Sequence, residues 1–132
     1  MQLSSKDLLG LREMPAEELS YILDTAFTMK NVILSGNKKT AHLQGRSVIT
    51  LFYENSTRTR LSFEMAAKFM GAASANISAS GSSVNKGENL IDTARTIDAM
   101  ATDILVMRHP QSGAPHFIAP RISASVINAG DG

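Results

Sequence analysis

Strand-like and helix-like segments alternate four times along this 132-residue chain, and that alternation limits its possible folds more than any other feature. Apolar, β-branched or small residues predict strands at 48–53, 73–78, 104–107 and 123–128. The third run is continuously apolar, which is typical of a strand buried on both faces. Because no hairpin signal occurs, the pattern predicts an α/β fold of three layers, αβα, with a four-stranded parallel sheet and right-handed βαβ connections.

Helices are expected between these strands, wherever apolar residues recur at helical spacing. They are predicted from Pro15 to Gly36, from the end of the first strand to Gly71, over 88–101, and within 113–119 ahead of Pro120. Their apolar faces are expected to pack in the core. This expectation covers Leu19, Ile22, Leu23, Ala26, Met29 and Ile33 of the first helix, Leu61, Phe63, Met65, Ala66, Ala67 and Phe69 of the second, and also Met70, Met100 and Met107.

Composition narrows the class of protein. A hydrophobic content of 43% and a charged content of 19% are typical of a soluble globular chain with one core. The formal net charge of +1 gives no reason to expect nucleic acid or an acidic membrane surface as a partner. No apolar run is long enough to cross a bilayer, and no signal-peptide pattern occurs at the N-terminus. The absence of cysteine rules out disulfides, and we expect a cytoplasmic protein.

Metal and cofactor chemistry are not expected. The three histidines, at positions 42, 109 and 116, lack the spacing of metal ligands. The chain also lacks a glycine-rich P-loop and the G-x-G-x-x-G fingerprint of dinucleotide-binding proteins. We therefore predict no metal site and no cofactor.

The segment 56–60, Ser-Thr-Arg-Thr-Arg, is the strongest functional signal, because it lies where the first strand ends and a helix begins. Free backbone N–H groups and the positive end of the helix dipole meet at such a corner and favour anions. The simpler alternative is a helix N-cap beside solvated arginines. Positive charge at a helix N-terminus is mildly unfavourable, however, so two arginines there favour a phosphate site.

The arginines of the chain are expected to play different parts. Arg60 lies two residues beyond Arg58 and points away around the helix, so an ion pair with Glu54 or Glu64 is expected. Arg108 lies just past the third strand. Ligands of parallel sheets bind outside the carboxyl ends of the strands, where the strand order reverses. If the first and third strands are neighbours, Arg108 and the 56–60 corner face one crevice, but the sequence leaves that adjacency open.

Three motifs, in order, also resemble a known family. The run 52–64 resembles the carbamoyl-phosphate signature of the transcarbamoylases. The run 82–88 with Asp92 and Thr93 is similar to the second motif of that family, and 103–110 is similar to the third. The serine pair and Lys-Gly-Glu of the second motif, and the Arg-His-Pro of the third, favour the aspartate-using branch over the ornithine-using branch.

The resemblance implies an activity that needs no protein nucleophile. Carbamoyl phosphate would give its carbamoyl group to L-aspartate, yielding N-carbamoyl-L-aspartate and phosphate, an early step of pyrimidine biosynthesis. Residues 1–132 would be the carbamoyl-phosphate-binding domain, one half of the transcarbamoylase fold, and the aspartate-binding domain would be absent from this chain. The chain alone is then expected to bind phosphate-like anions but to turn over slowly or not at all.

The resemblance also assigns residues to roles. It implies that Ser56, Thr57, Arg58 and Thr59 bind the phosphate group, and that Thr59 and Arg108 reach the carbonyl oxygen. Arg58 is the first choice for stabilising the leaving phosphate, because a planar guanidinium can follow the charge as it develops. The implied catalytic residues are therefore Arg58, Thr59 and Arg108.

Assembly is likewise implied by the family. Its matching lysine enters the active site of an adjacent subunit, which predicts that Lys86 contacts aspartate there and that the enzyme is a homotrimer. The serine that contacts substrate beside it is Ser82 or Ser83, and the sequence leaves this choice open. Regulatory or pathway-enzyme partners are compatible with the family.

Three other functions remain open from the sequence. An ornithine-using relative shares the same domain. A non-catalytic phosphate- or nucleotide-binding module could use the same corner between strand and helix. An inactive assembly partner could keep the subunit contacts alone.

Overall fold

The computed structural model describes residues 2–78 and 89–132 of the chain. Four helices and four strands alternate along these residues, and a 3-10 turn at Ala119–Arg121 follows the last helix. The elements are α1 (Ala16–Leu34), β1 (Ser47–Phe52), α2 (Thr57–Phe69), β2 (Ala73–Ser78), α3 (Leu90–Ala99), β3 (Ile104–His109), α4 (Ala114–Ile118) and β4 (Ser125–Asp131).

The strands form one parallel sheet in the order β2-β1-β3-β4. From β1 the chain passes through α2 to β2 on one side, and from β3 it passes through α4 to β4 on the other. The strand order therefore reverses between β1 and β3, which are direct neighbours. The predicted four-stranded parallel sheet is confirmed, and the adjacency that the sequence left open is settled.

Helices cover both faces of this sheet, as the three-layer prediction requires. One core cluster joins α3 and α4 to the sheet, and the other joins α2 to the opposite face. The strand β3 lies between the two clusters, with Leu105, Val106 and Met107 at most 1% exposed. The prediction that the run 104–107 is buried on both faces is thus confirmed for these three residues.

The predicted core stripe of α2 is confirmed on one side only. Phe63 and Ala67 face the sheet, whereas Leu61 and Met65 are 45% and 43% exposed. Apolar residues lie on two adjacent sides of this helix, so helical spacing alone could not select the buried side. Met100, also predicted to be core, is 62% exposed just past the end of α3.

The first helix is less buried than its pattern predicts. Leu23, Ala26 and Ile33 are exposed, and Glu18 is the one residue of α1 that is fully buried. Neither core cluster of the described residues includes a residue of α1. An apolar stripe predicts an amphipathic helix, but it does not determine which surface, if any, covers that helix.

The end of β4 also differs from the prediction and bears on the site. The strand continues to Asp131, three residues past the predicted end at 128. The helix predicted within 113–119 is found at Ala114–Ile118, and Pro120 lies in the 3-10 turn that follows it. The N-terminal segment covers the outer edge of β4 near its middle, through a parallel bridge between Leu8 and Ile127. In the described residues, no helix has the length and apolar character to cross a membrane.

Candidate functional site

The carboxyl ends of β1 and β3 meet at the point where the strand order reverses. Phe52 pairs with Arg108 across the two strands, and the backbone N–H of Tyr53 donates a hydrogen bond of 2.8 Å to the carbonyl oxygen of Arg108. The turn into α2 follows within four residues of that bond. The 56–60 corner and Arg108 therefore both lie at the carboxyl end of the sheet, beside each other in the strand order.

A cleft of about 280 Å³ lies at this edge between the ends of β1 and β2. Its walls are residues 52–57 together with Arg60, Asn76 and Ser78. Of the predicted binding residues, Ser56 and Thr57 thus line the cleft, while Arg58, Thr59 and Arg108 lie outside its lining.

The amino end of α2 is poorly capped, which suits an anion. Ser56 is the N-cap residue, but its side chain makes no capping hydrogen bond, and the first turn contains no acidic residue. At the start of α3, by contrast, the Asn89 side chain accepts a hydrogen bond of 2.9 Å from the N–H of Asp92. The simpler alternative, in which Ser56 serves only as a helix cap, therefore lacks the hydrogen bond that defines it.

Arg58 and Arg60 differ as expected. The Arg60 Nη1 lies 3.1 Å from Glu64 Oε1 in a half-buried ion pair, which confirms the predicted pairing and selects Glu64 over Glu54. Arg58 is exposed on the first turn. Among the described residues, no carboxylate lies within ion-pair distance of its guanidinium. The charge of Arg58 is therefore less neutralised than that of Arg60.

Arg108 is held by one hydrogen bond and one long ion pair. Its Nη1 donates a hydrogen bond of 2.9 Å to the carbonyl oxygen of Ala129, and its side chain is 30% exposed. Its Nε lies 3.7 Å from Glu54 Oε2, within ion-pair distance but too far for a hydrogen bond. This Nε is buried and has no hydrogen-bond partner in the described structure. The guanidinium therefore keeps unused donors on a side chain that is part-exposed.

The guanidinium of Arg108 packs directly on Gly130. A Cβ atom at position 130 would lie 2.5 Å from Arg108 Nη1, and Gly130 has a φ of +138°. Only glycine meets both demands without strain. Gly130 was not among the predicted site residues, although an Asn-x-Gly sequence at the end of a strand is typical of irregular backbone.

His109 lies beside the site as a neutral aromatic neighbour. Its ring lies 4.6 Å from the ring of Tyr53, centroid to centroid, and the Gln111 N–H donates a 3.0 Å hydrogen bond to its Nδ1. Burial lowers the pKa of His109 below its usual value, and the nearby Glu54 only partly opposes this effect. The ring is therefore uncharged at neutral pH.

Asp131 ties the loop before α4 to the end of β4. Its carboxylate accepts hydrogen bonds from the Gly113 N–H at 2.7 Å and from Asn128 Nδ2 at 3.1 Å. The bond from Gly113, followed by the bond from Asn128, holds the pKa of Asp131 below its usual value. An ionised carboxylate thus anchors the backbone that contacts Arg108.

Two further predictions lie beyond this geometry. Lys86 and the choice between Ser82 and Ser83 fall outside the described residues.

Within the described ranges, no group of three or more histidine, aspartate or glutamate side chains is placed to hold a metal ion.

Comparison with known proteins gives consistent matches. The chain matches the model of a domain family described as "Aspartate/ornithine carbamoyltransferase, carbamoyl-P binding domain" over residues 6–132. It is 70% identical over its whole length to the aspartate carbamoyltransferase catalytic subunit of Ruminiclostridium cellulolyticum, and covers 42% of that protein.

Solved structures agree with this match. The catalytic subunit of M. jannaschii aspartate transcarbamoylase superposes with a TM-score of 0.87 at 42% identity, over 97% of this chain and 42% of that one. Trypanosoma cruzi aspartate transcarbamoylase in complex with carbamoyl phosphate and aspartate gives a TM-score of 0.88 at 35% identity, over 98% of this chain and 40% of that one. The chain thus spans about two fifths of the length of these relatives.

Proposed function

Because the chain belongs to the carbamoyl-phosphate-binding domain family of the aspartate and ornithine carbamoyltransferases, we propose that it supplies the carbamoyl-phosphate half of an aspartate carbamoyltransferase active site. The observation that carries this proposal is that α2, whose amino end lacks a side-chain cap, and the part-exposed Arg108 both lie at the paired carboxyl ends of the neighbouring strands β1 and β3. Both offer hydrogen-bond donors and positive charge from a backbone that β-sheet pairing holds in place.

The proposed reaction is an acyl transfer. The neutral aspartate amino group attacks the carbonyl carbon of carbamoyl phosphate, and a tetrahedral intermediate forms. The bond from carbon to the bridging oxygen then breaks, and the leaving phosphate takes up the proton that the amino group loses. Ser56, Thr57, Arg58 and Thr59 hold the phosphate, and Arg58 stabilises the charge that builds on it. Thr59 and Arg108 polarise the carbonyl oxygen, for which the part-exposed guanidinium of Arg108 is a suitable donor.

Aspartate is the proposed acceptor in preference to ornithine. The domain family includes both kinds of enzyme. The curated relatives that resemble this chain at 54–70% identity are named as aspartate carbamoyltransferases, and one solved relative was crystallised with carbamoyl phosphate and aspartate. These names support aspartate for this chain as well.

The same proposal covers domain organisation and assembly. We assign residues 1–132 to the carbamoyl-phosphate-binding domain and expect the aspartate-binding residues elsewhere in the assembled enzyme, since the relatives are more than twice as long. Lys86 of an adjacent subunit would complete the site in a homotrimer, and the enzyme would work in the cytoplasm as part of pyrimidine biosynthesis.

Calorimetry on the 132-residue chain tests the proposed ligand. The titrants are phosphonoacetamide, a stable analogue of carbamoyl phosphate in which a methylene group replaces the bridging oxygen, then inorganic phosphate, and then ATP. We expect phosphonoacetamide to bind at least as tightly as phosphate, because only the analogue offers a carbonyl oxygen to Arg108. Tighter binding of ATP than of the analogue would contradict the proposal and would favour a nucleotide-binding module.

A further inference from the structure

The side-chain amide of Asn128 makes three hydrogen bonds at the end of β4. Its Nδ2 donates to the carbonyl oxygen of Leu9 at 3.0 Å and to Asp131 Oδ1 at 3.1 Å. Its Oδ1 accepts from the Gly130 N–H at 2.9 Å. The reverse orientation of the amide would place its oxygen against two acceptors, so only one orientation satisfies all three partners.

These hydrogen bonds stabilise a β-bulge in β4. The pairs Met107 with Asn128 and His109 with Asp131 span two residue steps on β3 but three on β4, so β4 carries one extra residue. Such an insertion bends the strand and takes backbone groups out of the regular ladder. The bulge comprises Ala129 and Gly130, which are the two residues that contact the Arg108 guanidinium.

The N-terminal segment, which supplies the Leu9 carbonyl that Asn128 contacts, is itself hydrogen-bonded to β4. The carbonyl of Leu9 belongs to the N-terminal segment, whose Leu8 donates a 2.9 Å hydrogen bond to the Val126 carbonyl and accepts a 2.9 Å hydrogen bond from the Asn128 N–H. Asn128 therefore joins three pieces of backbone: the N-terminal segment, the bulge and, through Asp131, the loop before α4.

We propose that Asn128 is a positioning residue, which sets the Arg108 guanidinium against the carbamoyl oxygen by fixing the Ala129–Gly130 bulge. This inference rests on the proposed function, because it requires Arg108 to meet the ligand. Asn128 does not touch the ligand. It places the Ala129 carbonyl that holds Arg108 Nη1 and the Gly130 backbone that supports the guanidinium.

A purely structural role for Asn128 makes a different prediction. If Asn128 only strengthened the edge of the sheet, replacing it would lower the free energy of unfolding. The ratio of the affinities for the two ligands would not change. A positioning role lowers affinity for a ligand with a carbonyl oxygen and spares a ligand that binds through the α2 terminus alone. Selectivity between phosphonoacetamide and inorganic phosphate therefore separates the two roles.

The test compares Asn128→Ala and Asn128→Asp with the unchanged chain by calorimetry against both ligands. Asn128→Asp keeps an acceptor for the Gly130 N–H but loses both donors, and it remains informative if the alanine variant does not fold. We expect phosphonoacetamide affinity to fall about tenfold, the size of one lost charge-assisted hydrogen bond, and phosphate affinity to change less than about twofold. Asn31→Ala, on the exposed side of α1, is the control and should match the unchanged chain.

A double-mutant cycle with Arg108→Ala completes the test. Arg108→Ala should itself weaken phosphonoacetamide binding, and Asn128→Ala should have no further effect in that background. Asn128 variants that bind both ligands normally, or lose both equally, would overturn the positioning role while Arg108→Ala still weakened binding. If Arg108→Ala bound the analogue normally, the proposed function of Arg108 would fail instead, so the two failures are distinguishable.

Discussion

The backbone N–H of Tyr53 donates a 2.8 Å hydrogen bond to the carbonyl oxygen of Arg108, and this bond joins the ends of β1 and β3. The amino end of α2 follows β1, and Arg108 belongs to β3. The bond therefore fixes two sources of positive charge relative to each other. Binding to such a site costs little reorganisation, because the donors are already in place. Each element of this arrangement can be tested separately.

Arg58 is expected to carry much of the phosphate affinity. Its guanidinium is exposed and, among the described residues, has no carboxylate partner within ion-pair distance. Arg58→Ala should weaken phosphate binding about tenfold to a hundredfold, the range for loss of a charged hydrogen bond. Calorimetry with inorganic phosphate at constant ionic strength measures this change.

Arg46 serves as the control for charge. Arg46→Ala removes the same charge from the residue before β1, about 20 Å from the site for a strand of this length. It should change phosphate affinity by less than about twofold. An Arg58→Ala variant that bound phosphate normally would favour an inactive assembly partner over the proposed enzyme.

Gly130→Ala should disturb Arg108 directly. The new Cβ would lie 2.5 Å from Arg108 Nη1, so the guanidinium must move, and the backbone at a φ of +138° would be strained. We expect phosphonoacetamide affinity to fall about tenfold or more, and the free energy of unfolding to fall by about 1–3 kcal/mol. Calorimetry and urea denaturation measure the two effects.

Gly45→Ala separates strain from collision. Gly45 also has a positive φ, +81°, but a Cβ there would have no neighbour within 4 Å. This variant should lose stability and keep its affinity for the analogue. Equal affinities in the Gly130 and Gly45 variants would show that contact with Gly130 does not position Arg108.

Stability should fall as the pH drops below about 6.5, the usual pKa of histidine, because of His109. Burial lowers the pKa of His109 in the folded chain, so the unfolded chain takes up a proton in this range that the folded chain does not. Proton uptake by the unfolded state destabilises the folded state as the pH falls. The decline should level off once the pH is below the folded pKa. Urea denaturation between pH 8 and pH 5 measures it.

His109→Gln should make the free energy of unfolding less dependent on pH in this range, whereas His42→Gln, at an exposed position, is the control. A His109→Gln profile with the slope of the unchanged chain would rule out the role of His109.

Asp131 affects stability in a separate, more acidic pH range. The pKa of Asp131 is lowered from 3.8 in the folded chain, so its stabilisation is present above that value and is lost only as the pH falls further.

The fold could be predicted to a large extent because its signals are local. The continuous apolar run of β3 and the small-residue strand β2, predicted at 73–78 and found at Ala73–Ser78, depend on residue types within a few positions. The pairing of Arg60 with Glu64 follows from positions four apart on a helix. The buried side of α2 could not be predicted in this way, because the sheet, not the helix, selects between its two apolar sides.

The amino-acid sequence by itself determined the order of strands and helices, the parallel class of the sheet and the Ser-Thr-Arg-Thr-Arg corner, since each depends on neighbours along the chain. Only the tertiary structure decided that Phe52 lies beside Arg108 and that Asn128 and Gly130 shape the surroundings of that arginine. These relations join segments that are distant in sequence. They depend on the register of backbone hydrogen bonds and on close packing, which no local pattern of residues specifies.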